Sequence, residues 1–188
     1  TETKEDYITV NYAGPVWYVS NDGDDSGQGT IEDPFATIQQ AVDLASNEDS
    51  VLIYQGDYSN EGKIQVEKPL FIGSSNYLNL DSTIISNLII DSFSFYSSSD
   101  GSVLQGASVK NSGVHAFEIG WAEGCEILIK QCHIMDNSDY AIKIYDNSVV
   151  TIDSCIISNN YKQGIFTYGN SVSLTILNSI ISWNNIDN

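Results

Sequence analysis

The chain has 188 residues, enough for one domain with a real core, and an apolar content ordinary for a folded protein. Its charge is lopsided: 25 Asp and Glu stand against seven Lys and no Arg, a net −18. That balance argues against nucleic acid and anionic membranes, since phosphate binding needs a basic face. It leaves calcium, cationic partners, neutral glycans and a salty or extracellular setting open.

No signal peptide is visible in "TETKEDY", so the chain is expected to be cytosolic or already processed. No apolar run approaches the roughly 20 residues that span a bilayer, so membrane insertion is not expected. Residues 1–14 read as an N-terminal extension and residues 15–50 as a cap. Within the cap, "NDGDDSGQG" (residues 21–29) is the densest group of oxygen ligands in the chain. Asp22, Asp24 and Asp25 are the first candidates for a calcium site, because hard oxygen donors on a Gly-rich loop suit that ion. The loop lacks the EF-hand spacing, and it reads equally as an acidic turn. The segment "DPFATIQQAVDLASNEDS" (residues 33–50) is the one helical signal, with Ile38, Ala41, Val42 and Ala45 on one face.

Residues 51–188 read as a solenoid of about six coils. The segments "SVLIYQGDYS", "KIQVEKPLFIGSS" and "STIISNLIIDSFSFY" alternate or run apolar, as buried strands do. After them a repeat becomes explicit. Leu104, Ile129, Ile152 and Ile176 fall in one column, and Val109, Ile134, Ile157 and Ile181 in another, at steps of 25, 23 and 24 residues. Ala107, Cys132, Cys155 and Ser179 form a small-residue column; Ser112, Asn137, Asn160 and Asn184 form a polar one. A period in the low twenties, built of short β-branched runs and Asn/Ser/Gly corners without helical stretches, predicts a parallel β-helix. Like residues then stack at the spacing of neighbouring strands. Stacked Asn side chains are expected to bond along the axis and to take up the left-handed conformation of sharp corners. Cys132 and Cys155 lie within reach of a disulfide as vertical neighbours, but they read better as buried small hydrophobes. The three cysteines form no CxxC pair, which argues against a zinc site.

The segment "WYVSNDGDDSGQGTIEDPFATIQQAVDLASNEDSVLIYQGDYS" resembles the opening of secreted right-handed parallel β-helix proteins of the pectate-lyase-like superfamily. There a strand, a Gly/Asp/Ser loop, a "PF-TIQ-A" helix and a first coil occur in that order. "KPLFIGSS" is similar to a second coil and "YAIKIYDNSVVTIDSCIISNN" to the generic coil. The resemblance implies an all-β right-handed parallel β-helix with an N-terminal capping helix, and a secreted, bacterial protein. Its lyases eliminate across a uronic acid, with calcium on outward carboxylates and a Lys or Arg taking the C5 proton. Without Arg, only a Lys-based lyase remains, with Lys143 the first choice of base and Lys130 the second. The chain departs from family enzymes in having fewer coils and in stopping mid-repeat at "SWNNIDN", where a fragment boundary or a covering neighbour is expected.

In "HAFEI", "YAIKI" and "GIFTY", inward Phe117, Ile142 and Phe166 would leave Glu118, Lys143 and Thr167 outward. Lys130, Asp153 and Leu177 form the next outward column, so cross-strand Glu118–Lys143 and Lys130–Asp153 ion pairs are expected on one face. A second calcium candidate is Asp136, Asp139 and Asp146. His115 and His133 fall in no visible constellation. Tyr140, Tyr145, Tyr168 and Trp121 are the candidate rings for stacking on sugars; the outward position of Tyr168 depends on a one-residue choice of register.

Three functions fit. The first is a secreted, non-catalytic β-helix module for carbohydrate binding or cell-surface adhesion and display, within a larger extracellular protein whose partner is a polysaccharide or surface glycan. The second is a calcium-dependent polysaccharide lyase acting on a uronate glycan. The third is an assembly unit that stacks end to end, or on a neighbouring domain, at its C-terminal coil. The few coils and the missing Arg favour the first.

Overall fold

The computed structural model describes residues 15–75 and 88–185. It is a parallel β-solenoid of five turns with a sixth begun, and the expected extension at residues 1–14 lies outside the described residues. Each regular turn contributes three short strands, one to each of three faces.

The first face is a sheet of β1 (Val16–Val19), β2 (Ser50–Ile53), β4 (Phe71–Ser74), β6 (Ser102–Gln105), β9 (Glu126–Lys130), β12 (Val149–Asp153) and β15 (Ser173–Leu177), in that order. The second face holds β7 (Ser108–Lys110), β10 (His133–Met135), β13 (Ile156–Ser158) and β16 (Ile180–Ser182). The third holds β8 (Phe117–Trp121), β11 (Ile142–Tyr145) and β14 (Ile165–Tyr168). The two long strands β3 (Gly56–Val66) and β5 (Leu88–Tyr96) pair with each other and run through the corner, so the second and third faces share one hydrogen-bonded sheet.

Inward side chains repeat coil by coil because the parallel register is kept. Leu104, Ile129, Ile152 and Ile176 align on the first face, and Val109, Ile134, Ile157 and Ile181 on the second. On the third face Phe93, Phe117, Ile142 and Ile165 align; Phe93 stacks on Phe95 and on Phe117, at centroid distances of 5.8 Å each. β-branched and aromatic side chains suit such pleated, buried surfaces. Ile152 and Ile157 are fully buried, whereas their partners one coil on, Ile176 and Ile181, are 42% and 43% exposed.

The corners correct one expectation. At the corner after the second face the left-handed residues are Asn111, Asp136, Asn159 and Trp183, each one residue before the polar column. The column itself points inward. Asn137 Nδ2 donates to Asn160 Oδ1 at 2.8 Å, and Asn160 Nδ2 to Asn184 Oδ1 at 2.7 Å. The same oxygens accept the backbone amides of Asn137 and Asn160, both at 3.1 Å. The corner therefore splits its two needs between neighbouring residues: one bends the chain, and the next satisfies the buried polar backbone. Cys132 and Cys155 are stacked, buried and free, and Cys125 is also free and buried.

The cap helix, α1 (Ile38–Leu44), buries Ile38, Ala41 and Val42, and Ala45 at its end is 3% exposed. Its first turn is held from two directions. Asp25 accepts from the Ala36 and Thr37 amides, both at 2.9 Å, and from the Thr37 hydroxyl at 2.9 Å. Glu61, on the bulge of β3, accepts from the Ile38 amide at 2.9 Å and the Gln39 amide at 3.2 Å. These acceptors satisfy amides that a helix start leaves unpaired.

Candidate functional site

The third face gathers most of the candidate side chains. Its central outward column is Gln65, Ser94, Glu118, Lys143 and Phe166. This corrects the predicted register of the last strand by one residue: Lys143 pairs with Phe166, and Ile142 with Ile165, so Phe166 points outward. The same register puts Tyr168 beside Tyr145 and leaves it 63% exposed.

Along one edge runs an aromatic ladder. Gly120, at φ +78°, makes a bulge that places Trp121 beside Tyr96. A side chain at Gly120 would meet the Ser148 hydroxyl, 2.0 Å from an added Cβ. Trp121 meets Tyr145 edge-on at 4.8 Å, and Tyr145 meets Tyr168 at 5.9 Å. With Ala122 and Asp146 these three rings line a shallow depression of about 310 Å³. Trp121 is 52% exposed. Tyr140, the fourth candidate ring, lies at the opposite edge, stacked on Phe166 at 4.5 Å and against His115 at 5.4 Å.

Between the two aromatic edges lies a charged centre. Glu118 pairs with Lys63 at 2.9 Å rather than with Lys143, and also accepts from the Tyr145 hydroxyl at 2.8 Å and the Ser94 hydroxyl at 3.2 Å. Burial pushes the Glu118 carboxyl up, but these donors together hold it below the ordinary Glu value. Burial and the bond to Glu118 push the Tyr145 hydroxyl well above its ordinary value. Lys143 enters none of the ion pairs among the described residues; its Nζ lies 3.4 Å from His115 Nε2 and 5.0 Å from the centre of the Tyr145 ring. Asp139 lies 3.3 Å from His115 Nδ1 and pairs with Lys162 at 2.8 Å. Three of the seven lysines thus gather here around two carboxylates, each already held by a lysine.

The other candidates are placed elsewhere. Lys130 is on the first face, in register with Asp153, whose carboxylate accepts from Ser154 and Asn178, both at 3.0 Å; the expected Lys130–Asp153 ion pair does not form. The two lysines offered as a base are therefore on different faces. Asp136 accepts from Asn159, Asp139 faces His115, and Asp146 accepts from the Ser171 amide at 2.6 Å, so this set does not converge. In the acidic loop Asp24 closes a turn onto Ser26 and Asp25 holds the helix start, leaving Asp22 apart. Among the described residues no three Asp, Glu, His or Cys side chains come together as metal ligands would. His133 is an outward, half-buried residue of the second face.

A family profile described as the Pel9A-like right-handed β-helix region matches residues 17–188. The chain belongs to this family. No curated protein matches its sequence. The fold is similar to that of pectate lyase Pel9A, with a TM-score of 0.67 at 15% identity, covering 88% of this chain and 47% of that one. It is similar also to a rhamnogalacturonan lyase, with a TM-score of 0.57 at 17% identity, covering 88% and 51%. The chain thus spans about half the length of each of these lyases, and the likeness at such identities concerns the fold.

Proposed function

We propose that this β-helix is a secreted polysaccharide-binding unit whose third face takes an acidic, uronate-type glycan. The observation that carries the reading is the arrangement around Lys143. A lysine without a carboxylate partner stands between an aromatic ladder and a second aromatic pair, on a chain whose net charge is −18. Aromatic faces stack on the apolar faces of sugars, and successive coils repeat them along the axis, as a polymer requires. Lys143 supplies the cation that a uronate carboxylate needs, whereas Lys63 and Lys162 are already paired with Glu118 and Asp139. Similarity to two polysaccharide lyases supports an acidic-glycan ligand over a protein one. The reading places no calcium on the loop carboxylates Asp24 and Asp25, which already serve backbone amides.

Titration calorimetry with polygalacturonate, alginate and a neutral glucan tests the proposal. Binding confined to the uronate polymers, weakened about tenfold by Trp121→Ala or Lys143→Ala, is expected; about 1.4 kcal/mol corresponds to that factor. Equal binding to all three polymers, or none, contradicts it. A second reading, elimination chemistry at the same face, is favoured by the proximity of Lys143 to an imidazole.

A further inference from the structure

We infer that the corner between the second and third faces binds an amino-sugar polymer with free amines, with Trp183 and Tyr161 against its rings and Asp136 against an ammonium. The surface and its ligand are separate from those of the third-face reading.

An open groove of about 860 Å³ runs along this corner through three successive coils. It is lined by Asp136, Asn159 and Trp183 of the left-handed column and by Ser138, Tyr161 and Asn185 two residues on, with the Asn ladder beneath. Its size is that of a ligand site. Asp136 and Asn159 have a coil on either side and are exposed all the same, so this column faces solvent wherever it stands in the solenoid.

Trp183 is out of place there. Its φ is +56°, beside +58° for Asp136 and +57° for Asn159. Asn and Asp tolerate that conformation, whereas a bulky side chain in it is an outlier. Burial does not compensate, because Trp183 is 88% exposed. Tyr161 is 65% exposed, and no other large apolar side chain among the described residues is as open as these two. A strained residue held without packing gain points to function.

The charge of the groove selects the ligand. Asp136 is its one charged lining residue, and no lysine lines it. Lys162, next to Tyr161, is held by Asp139 at 2.8 Å. On a chain of net charge −18 such a groove repels polyanions and draws cations. An indole face is the best of the aromatic rings for an ammonium. Asp136 and Trp183 stand two coils apart, about 10 Å at strand spacing. One ammonium cannot serve both; a polymer that repeats its charge can.

The backbone argues for a glycan over a lysine-rich peptide. The amides of Ser138, Tyr161 and Asn185 already donate to the carbonyls of Ser112, Asn137 and Asn160, at 2.9, 2.9 and 3.0 Å. Those of Asn137 and Asn160 donate to the ladder. These five amides are therefore closed to an added strand, the way an extended peptide joins a sheet. Recognition falls to side chains: rings for sugar faces, and amides, a hydroxyl and a carboxylate for hydroxyls and ammonium groups. Asn159 Nδ2 donates to Asp136 Oδ1, which uses one of the several sites each group offers.

Calorimetry on the full chain tests the inference. The probes are a fully deacetylated glucosamine oligosaccharide, its N-acetylated counterpart and oligolysine, at a pH where the amines are protonated. The deacetylated sugar should bind, and the acetylated one, without the charge, should not. Trp183→Asn restores the residue type of the preceding coil, so the thermal midpoint should hold or rise. Binding should nevertheless weaken about fivefold, the scale of an exposed cation–π contact. Asp136→Asn should also weaken it, and both variants should keep the affinity of the unaltered chain for polygalacturonate. Equal affinity of the unaltered chain and Trp183→Asn for the deacetylated sugar would mean that net charge alone acts, and overturns the inference. Oligolysine bound as tightly, the acetylated sugar bound equally, or no binding at all overturns it as well. Failure of uronate binding alone sinks the third-face reading and leaves this one standing.

Discussion

Replacing Asn160 by Ala should be among the costliest single changes at the surface corners, although it removes no apolar packing. The side chain is 2% exposed. Its oxygen accepts from the Asn137 amide at 3.1 Å and the Asn137 side chain at 2.8 Å. Its Nδ2 donates to Asn184 Oδ1 at 2.7 Å and to the carbonyls of Ile134 and Ser158, both at 3.1 Å. Alanine leaves the Asn137 amide without this acceptor and the Ile134 carbonyl without this donor, inside the coil. Each buried polar group left unpaired costs about 1–3 kcal/mol, so the loss should be about 3 kcal/mol. That is a large share of a net stability of roughly 5–15 kcal/mol. For a chain of this size it corresponds to a fall of about 6–12 °C in the thermal midpoint. Urea unfolding followed by circular dichroism measures it, with the midpoint falling and the slope unchanged. A loss below about 1 kcal/mol would refute the idea that the ladder, rather than the apolar columns alone, holds the corners.

Phe93→Ala should cost about 3–5 kcal/mol by opening a cavity between Phe95 and Phe117, checked by the same unfolding assay. Asp25→Ala should loosen the cap by about 1 kcal/mol through loss of the Ala36 and Thr37 amide bonds, and amide exchange in α1 reports it. Chelation should leave the thermal midpoint unchanged; a fall reversed by calcium would return that ion to the loop carboxylates. Glu118 and Asp139 both sit below their ordinary values of 4.5 and 3.8. Groups lowered in the fold stabilise it above those values and lose that contribution as pH falls through the folded ones. Stability should therefore decline below about pH 4.5, and Glu118→Gln should flatten part of that decline in an acid titration.

The inward columns were legible because a solenoid writes its core as a repeat: Ile129, Ile152 and Ile176 recur at the coil period and stack as the period demands. The cap helix was legible through Ile38, Ala41, Val42 and Ala45, which mark one buried face. The last register was not, because "IKIY" and "IFTY" offer two equally good alternations. It is set by backbone bonds before the strand, from Ala141 to Gln163 and from Ile142 to Gly164. The partner of Glu118 was hidden for a different reason. Lys63 is 55 residues away, in a bulged coil where the repeat is irregular. His115 and Asp139 stand about one coil step apart but in neighbouring columns, since His115 aligns with Tyr140, so their contact is no repeated pair. The bending residues of the corners were missed because their column holds Asn111, Asp136, Asn159 and Trp183, which share a conformation and no chemistry. Asp25 shows the limit of composition: an acidic cluster suggests a cation, yet this carboxylate is turned onto amides 11 and 12 residues ahead.

The most direct test of the account is a crystal structure of the chain with a uronate oligosaccharide. The account predicts sugar rings along Trp121, Tyr145 and Tyr168, with a carboxylate on Lys143. Density for the oligosaccharide on the first or second face, with the third face bare, would contradict it.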